Sequence, residues 1–285
     1  MKRLNWMLKI LKSGLFTTIQ DKGRYGYLNK GVPVAGYMDT FSATKVNMLL
    51  ENDAEAAVME ITMTGPTLLF EEETYMCMGG AELSATLNNA PIQNYKVTKI
   101  EKGDILSYGK LEKGFRSYLA IKGGFESPIV LGSRSFFSSV TPINHFRDRD
   151  EVEYKSHSTF TAKISELQVG DFLEETKLLV SKGPEYAMLS DKQLEAIFAG
   201  NFTISNENNR MAYQLEEEIN GHEISMLTSA TLPGTVQLTP SGRLIVLMKD
   251  GQTTGGYPRI LQLSDRAISI LAQKKFGDVI GFRLT

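Results

Sequence analysis

The sequence of 285 residues is poor in the side chains that most often bind metals or form cross-links. It has one cysteine, Cys77, and three histidines. A single cysteine excludes an intrachain disulfide and a cysteine-rich zinc site. The histidines His145, His157 and His222 lack the spacing of metal ligands, so no metal site is predicted. Cys77 lies between two methionines, a pattern typical of a buried strand, and we expect an inert thiol.

Long apolar runs and an excess of charge are also missing. No uninterrupted apolar run approaches the roughly 18 residues that a membrane span needs. Lys9 and Lys12 interrupt the apolar start of the chain and no small-residue cleavage site follows, so a cytoplasmic protein is predicted. The formal net charge is -2, which gives no sign of a nucleic-acid or membrane partner.

Familiar catalytic motifs are absent as well. The sequence has no GxxxxGK[ST] phosphate loop, no GxGxxG and no GxSxG. Residues 42–45, SATK, match the SxxK pattern. The KTG and SDN partners of that pattern are missing, so coincidence is favoured.

What the sequence does contain is many short strand patterns separated by Gly, Pro and Asn. Strands are predicted at Met7–Leu11, Pro66–Phe70, Leu83–Leu87, Ser117–Ile121, Thr235–Leu238, Leu244–Met248 and Val279–Leu284. Three helices are predicted, beginning at Asp39, after Ser190 and at Ser264, and Gln193 completes a capping box with Ser190. The predicted fold class is mainly β with accessory helices (α+β).

Weak similarities recur in the same order in two parts of the chain. Residues 97–110 resemble 268–283, residues 64–70 resemble 232–238, and residues 8–15 resemble 177–184. The plainer alternative is a chance recurrence of strand–turn–strand sequences. We predict two related barrel-like halves, 1–110 and 175–285, with an inserted connecting region at 111–174.

One polar, glycine-rich stretch is QDKGRYGYLNKGVPVAGYMD, residues 20–39. Arg24 offers a planar fork suited to a carboxylate or phosphate, and Asp21 could hold that fork or act as a base. Gln20 is a further candidate for substrate binding. The alternative is a turn-rich connection in which Asp21 and Arg24 only pair with each other.

A second polar stretch is KDGQTTGGYP, residues 249–258, directly after an apolar strand pattern. Asp250 could be a general base or could orient one. The candidates for binding a polar or anionic substrate are Gln252, Thr253, Thr254, Gly255 and Gly256. The alternative is a tight turn that needs positive φ, with Pro258 ending the strand.

A third candidate, GSRSFF at residues 132–137, contains Arg134. Its guanidinium group could bind an anion. A plain surface turn is an equally good interpretation.

Six motifs in order resemble one known family: TTIQDKGRYGYLNKGVPVAGYMD, MEITMTGP, RSYLAIKGGF, LGSRS, NRMAYQL and LMKDGQTTGGYP…AQKKFGD. They are similar to the carboxyltransferase-domain family, also labelled allophanate hydrolase subunit 2, which includes the C subunit of 5-oxoprolinase. The resemblance implies two cyclophilin-like β-barrels. It covers the chain from about residue 8 to the end.

The resemblance also implies a function. Such a chain would be a subunit of an ATP-dependent 5-oxoprolinase that opens the 5-oxoproline lactam to glutamate, together with partners like subunits B and A. ATP would be bound by this chain or by a partner. Asp250, Arg24 and Tyr257 would then be the catalytic residues. The alternatives are a carboxyltransferase component of a biotin-dependent urea or amide carboxylase, and a non-catalytic regulatory subunit that binds a kinase-inhibitor-like partner.

Overall fold

The computed structural model describes residues 6–285, which form two compact units. The first unit consists of residues 6–24 and 35–173, and the second of residues 25–34 and 174–285. Residues 1–5 of the predicted first half lie outside the described residues. Almost all of the predicted connecting region, 111–174, falls within the first unit.

The first unit is built from two antiparallel sheets and one helix. Its helix is α1 (Thr40–Leu49), and its strands are β1 (Trp6–Lys12), β2 (Phe16–Gln20), β3 (Val58–Thr62), β4 (Thr67–Phe70), β5 (Thr74–Glu82), β6 (Thr86–Leu87), β7 (Ala90–Pro91), β8 (Thr98–Ile100), β9 (Ile105–Ser107), β10 (Lys113–Ile121) and β11 (Glu151–Tyr154). The strand orders are β11-β1-β4-β9-β6-β7 and β2-β3-β10-β5-β8. Strand β10, from the predicted connecting region, therefore pairs with β3 and β5 of the predicted first half.

Both faces of the five-stranded sheet are covered, as β10 illustrates. Leu119 and Ile121 pack into a core cluster shared with β1 and β4 of the other sheet. Tyr118 and Ala120, which alternate with them, pack into a second cluster with α1. Because successive side chains of a strand point to opposite faces, a strand covered on both sides is apolar almost throughout.

The second unit contains a closed barrel. Its helices are α2 (Asp191–Ala199) and α3 (Asp265–Ala272), and its strands are β12 (Lys177–Lys182), β13 (Phe202–Asn208), β14 (Ala212–Glu218), β15 (Ser229–Ala230), β16 (Thr235–Leu238), β17 (Arg243–Leu247), β18 (Thr254–Gly255), β19 (Arg259–Leu263) and β20 (Val279–Leu284). The barrel has the order β12-β19-β16-β17-β14-β13-β20, and β15 pairs separately with β18. Strand β20 runs parallel to β12 and closes the barrel.

The predicted fold class, mainly β with accessory helices, is confirmed, and all three predicted helices are present. Their N-caps are Asp39, Ser190 and Ser264, and the capping box of Ser190 with Gln193 forms as predicted. None of the helices within residues 6–285 is long and apolar enough to cross a membrane.

Strands in the segments that the sequence similarity matched have different partners in the two units. The similarity of residues 8–15 to 177–184 matches β1 with β12, and the similarity of residues 64–70 to 232–238 matches β4 with β16. Strand β1 pairs directly with β4, whereas β12 pairs with β19 and β20. Short strand–turn–strand similarities do not determine which strands become neighbours, because pairing depends on contacts that are distant in sequence.

Candidate functional site

In the first unit, Asp21 joins the loop after β2 to the segment 130–136. Its Oδ1 accepts hydrogen bonds from Ser133 Oγ and Ser135 Oγ, both at 2.6 Å, and from Gly23 N at 2.9 Å. Its Oδ2 accepts from the backbone N of Arg134 at 2.6 Å. A carboxylate oxygen has about two lone-pair sites, so much of the accepting capacity of Asp21 is used to fix the two loops together.

Arg24 reinforces the same junction from a buried position. Only 1% of the residue is exposed. Its Nη2 donates to Ser135 O at 2.7 Å and its Nε donates to Val130 O at 3.3 Å. The guanidinium group therefore orders backbone carbonyls that would otherwise be costly to bury.

Gln20 completes this junction. Its Nε2 donates to Thr18 Oγ1 at 3.0 Å and to Phe136 O at 3.2 Å, while its Oε1 accepts from Gly36 N at 3.1 Å. The structure thus brings Gln20, Asp21 and Arg24 together with segment 130–136, although more than a hundred residues separate the two in sequence.

The side chain of Arg134 is engaged on the other side of its loop. Its Nη2 lies 2.8 Å from Glu126 Oε2, and its Nη1 donates to Ser127 O. Lys155 Nζ lies 2.6 Å from the other oxygen of Glu126. The hydrogen bond from Lys155 and the charge of Arg134 lower the pKa of Glu126. The charge of Arg134 is therefore already balanced by a carboxylate.

In the second unit, Asp250 forms a two-point ion pair with Arg210. Arg210 Nε lies 2.8 Å from Asp250 Oδ2, and Nη2 lies 2.9 Å from Oδ1. The backbone N of Asp250 also donates to Arg210 O at 2.9 Å. The two side chains are 11% and 6% exposed. Such a fork fixes both the position and the orientation of the carboxylate.

A second arginine fork lies at the other end of the KDGQTTGGYP loop. Arg259 Nε and Nη2 lie 2.9 and 2.8 Å from the two carboxylate oxygens of Glu185. The hydrogen bond from Arg259 lowers the pKa of Glu185. Arg259 Nη1 also donates to Ala230 O in β15 at 2.6 Å. The loop is thus held at both ends by buried or partly buried ion pairs.

The middle of the loop is held by its backbone. Strand β18 pairs with β15, Thr231 N donates to Thr253 O at 3.0 Å, and Thr231 Oγ1 donates to Gln252 O. Among the side chains of the loop, Gln252, Thr254 and Tyr257 are exposed to solvent. The loop therefore presents polar groups outward from a fixed backbone.

The glycines of this loop are not explained by left-handed backbone. Within residues 249–258, no glycine has a positive φ. A Cβ at Gly255 would instead lie 2.6 Å from Gln237 Nε2 and 2.8 Å from Gln252 Nε2. A Cβ at Gly256 would meet nothing within 4 Å. A methyl group at Gly255 would therefore have to displace the amide ends of Gln237 and Gln252. The interpretation of the stretch as a tight turn that needs positive φ is wrong.

The predicted site residues fall into these two groups. Gln20, Asp21, Arg24 and Arg134 belong to the first unit, and Asp250, Gln252, Thr253, Thr254, Gly255, Gly256 and Tyr257 belong to the second. Arg210 and Arg259 were not among the residues predicted from the sequence. Arg210 stands in the NRMAYQL motif, which was the available signal. Within residues 6–285, no three His, Cys, Asp or Glu side chains are grouped so that they could hold a metal ion.

The protein is mainly β, with a closed seven-stranded barrel in the second unit. A polar loop of that unit is anchored by arginine ion pairs. Residues 30–284 match the family described as "Carboxyltransferase domain, subdomain A and B", and the chain belongs to that family.

Relatives of the chain include both short and long proteins. It is 32% identical to the C subunit of 5-oxoprolinase from Escherichia coli (strain K12), over 97% of this chain and 90% of that protein. The crystal structure of TTHA0988 superposes with a TM-score of 0.90 and 25% identity, over 99% of this chain and 57% of that one. The K. lactis urea amidolyase superposes with a TM-score of 0.87 and 27% identity, over 97% of this chain and 18% of that one. The chain thus spans little more than half of TTHA0988.

Proposed function

We propose that this chain is a subunit of an ATP-dependent 5-oxoprolinase, a complex that opens the 5-oxoproline lactam to glutamate. The proposal rests on how much of this chain and of one relative the sequence similarity covers. Similarity to the C subunit of the Escherichia coli 5-oxoprolinase covers 97% of this chain and 90% of that protein. Similarity to the K. lactis urea amidolyase covers only 18% of the latter.

The chemistry of the reaction explains the need for ATP. A lactam is stabilised by resonance, so its C–N bond resists hydrolysis near neutral pH. Transfer of the terminal phosphoryl group of ATP to the lactam oxygen would create a leaving group. Water then adds at the carbon that bears the phosphorylated oxygen, the C–N bond breaks and the nitrogen takes a proton, which leaves an acyl phosphate. A second water adds at the acyl carbon, and phosphate departs to leave the carboxylate of glutamate. This chemistry needs donors that stabilise negative charge and a positioned acid or base.

The residues of the two loops would contribute differently. Asp250 would act as the positioned carboxylate, with Arg210 setting its orientation, and the exposed hydroxyl of Tyr257 would serve as a donor. Gln252, Thr253 and Thr254 would contact the substrate. Arg24 is fully buried, so we assign it to the positioning of segment 130–136.

Two partners, similar to 5-oxoprolinase subunits B and A, would complete the complex, and ATP would be bound in this chain or in a partner. Co-purification with the products of neighbouring genes, followed by an assay of 5-oxoproline-dependent ATP hydrolysis and glutamate release, tests the proposal. Assembly without such turnover would contradict it.

Asp250→Asn tests the role of the carboxylate within the assembled complex. We expect the variant to assemble and to lose glutamate production. Glu185→Gln is the matched control, because it weakens the other arginine fork of the same loop. Equal losses of activity in both variants would show that Asp250 only supports the loop.

A second candidate is carboxyl transfer to urea or another amide in a biotin-dependent enzyme. It is favoured by the similarity of fold to the K. lactis urea amidolyase. It predicts a biotin carboxylase and a biotinylated carrier among the partners that co-purify. A regulatory subunit that binds a kinase-inhibitor-like protein is a third candidate, for which Asp250→Asn would impair complex formation rather than turnover.

A further inference from the structure

A buried amide nitrogen, for which residues 6–285 provide no hydrogen-bond partner, lies beneath the KDGQTTGGYP loop. Gln237 belongs to β16, where the fully buried Val236 and Leu238 alternate with it, so its side chain lies on the opposite face of the strand. The residue is only 1% exposed. Among residues 6–285, its Nε2 has no hydrogen-bond partner. Buried polar groups are rarely left in this state, because each unmade hydrogen bond is unfavourable.

The amide of Gln252 approaches the same place. A Cβ built on Gly255 would lie within 3 Å of both Gln237 Nε2 and Gln252 Nε2, at 2.6 and 2.8 Å. Two amide N–H groups cannot satisfy each other, but one oxygen can accept from both. Gln252 is exposed, so its side chain is able to move aside and open the approach to Gln237.

The chemistry of these groups indicates the kind of ligand. Both side chains are neutral amides, and each offers a donor and an acceptor. A carboxylate or phosphate is bound most strongly by a charged arginine fork, and the forks of this loop are already engaged by Asp250 and Glu185. A neutral amide is complementary to Gln237, since its carbonyl oxygen can accept from Nε2 while its N–H donates to Oε1.

We propose that Gln237 is the residue that recognises the amide group of the ligand, with Gln252 as a second donor to the carbonyl oxygen. The ligand class is therefore a small amide, lactam or urea. Its identity as the 5-oxoproline lactam rests on the function proposed above.

A purely structural role for Gln237 is the competing interpretation. If the exposed Gln252 amide turned over, its oxygen could accept from Gln237 Nε2 and lock the loop. In that case, substitution of Gln237 would change stability and leave ligand affinity unaltered.

The test measures ligand binding, by ligand-observed NMR titration, to the full chain alone and to the assembled complex. The probes are L-5-oxoproline, urea and cyclopentanecarboxylate, which has a ring and a carboxylate but no amide. We expect L-5-oxoproline to bind more tightly than cyclopentanecarboxylate. In Gln237→Met, which keeps the size of the side chain but removes both polar groups, the Kd for L-5-oxoproline should rise about tenfold.

Two adjacent glycines provide a matched pair. Gly255→Ala places a methyl group against both glutamine nitrogens, whereas Gly256→Ala meets nothing within 4 Å. We expect Gly255→Ala to weaken binding by about the same factor as Gln237→Met. We expect Gly256→Ala to weaken binding less than Gly255→Ala does, and equal losses in both variants would contradict a role of the two glutamine nitrogens. Thermal unfolding of all variants checks that they are folded.

Failure of the proposed function and failure of the assignment of Gln237 give different results in these measurements. If the complex lacks 5-oxoproline turnover, that function fails, and binding of urea and L-5-oxoproline still decides the role of Gln237. In an active complex, Gln237→Met should raise KM about tenfold and change kcat little. Unchanged affinity in Gln237→Met, or a wild-type chain that binds neither amide better than cyclopentanecarboxylate, would overturn the assignment of Gln237.

Discussion

The ion pair of Arg210 with Asp250 gives the most direct prediction about stability. Both side chains are nearly buried, at 6% and 11% exposure, and two short contacts join them. A hydrogen bond to a charged group contributes about 1.5–3 kcal/mol, and removing one partner of a buried pair costs about 3–5 kcal/mol because the other charge stays buried. We therefore expect Asp250→Ala to lower the free energy of unfolding by about 3 kcal/mol or more.

An exposed ion pair in the same unit is the reference. Arg243 and Glu218 are 3.6 Å apart with side chains 37% and 49% exposed. Because solvent screens exposed pairs, Glu218→Ala should change the free energy of unfolding by less than about 1 kcal/mol.

Urea denaturation of the two variants, monitored by circular dichroism, measures both effects as shifts of the midpoint at constant m-value. Equal and small shifts for Asp250→Ala and Glu218→Ala would refute the reasoning. A large shift for Asp250→Ala alone would agree with the burial and two-point geometry of its pair.

Two further predictions concern titratable groups. The pKa of Glu126 is lowered by the hydrogen bond from Lys155 and by Arg134, so its contribution to stability is present above the unfolded-state pKa of about 4.3 and is lost as the pH falls through the folded-state pKa. Glu126→Gln should therefore lower stability at pH 7 more than at pH 3, and an equal loss at both pH values in urea titrations would contradict this. Burial raises the pKa of Cys77 to about 12, so its thiol should react with iodoacetamide at pH 8 only after unfolding. Mass spectrometry detects the labelled chain, and rapid labelling of the native protein would contradict this prediction.

Features encoded by neighbouring residues could be predicted from the sequence. The N-caps Asp39, Ser190 and Ser264 lie at the predicted helix starts, because a cap involves residues within one turn. The burial of Cys77 followed from its apolar neighbours and is confirmed.

Features that depend on distant segments could not be predicted. The hydrogen bonds of the Asp21 carboxylate with Ser133 and Ser135, which lie 112 and 114 residues away, were not predicted. Arg210, 40 residues before Asp250, was likewise not expected as its partner. The position of the Gln237 side chain of β16 next to Gly255 is likewise not encoded by any local sequence pattern.

The residues that hold the KDGQTTGGYP loop differ from those that it exposes to solvent. Two ion pairs, each with an arginine that makes two contacts, hold the loop. Arg210 binds Asp250 near the start of the loop, and Glu185 binds Arg259, the residue directly after its end. The exposed side chains between those ends contribute little to holding it. Substitutions at Gln252, Thr254 and Tyr257 should therefore alter what the loop binds without unfolding its support. Such a loop can acquire a new specificity through a few surface changes while the barrel beneath it stays the same.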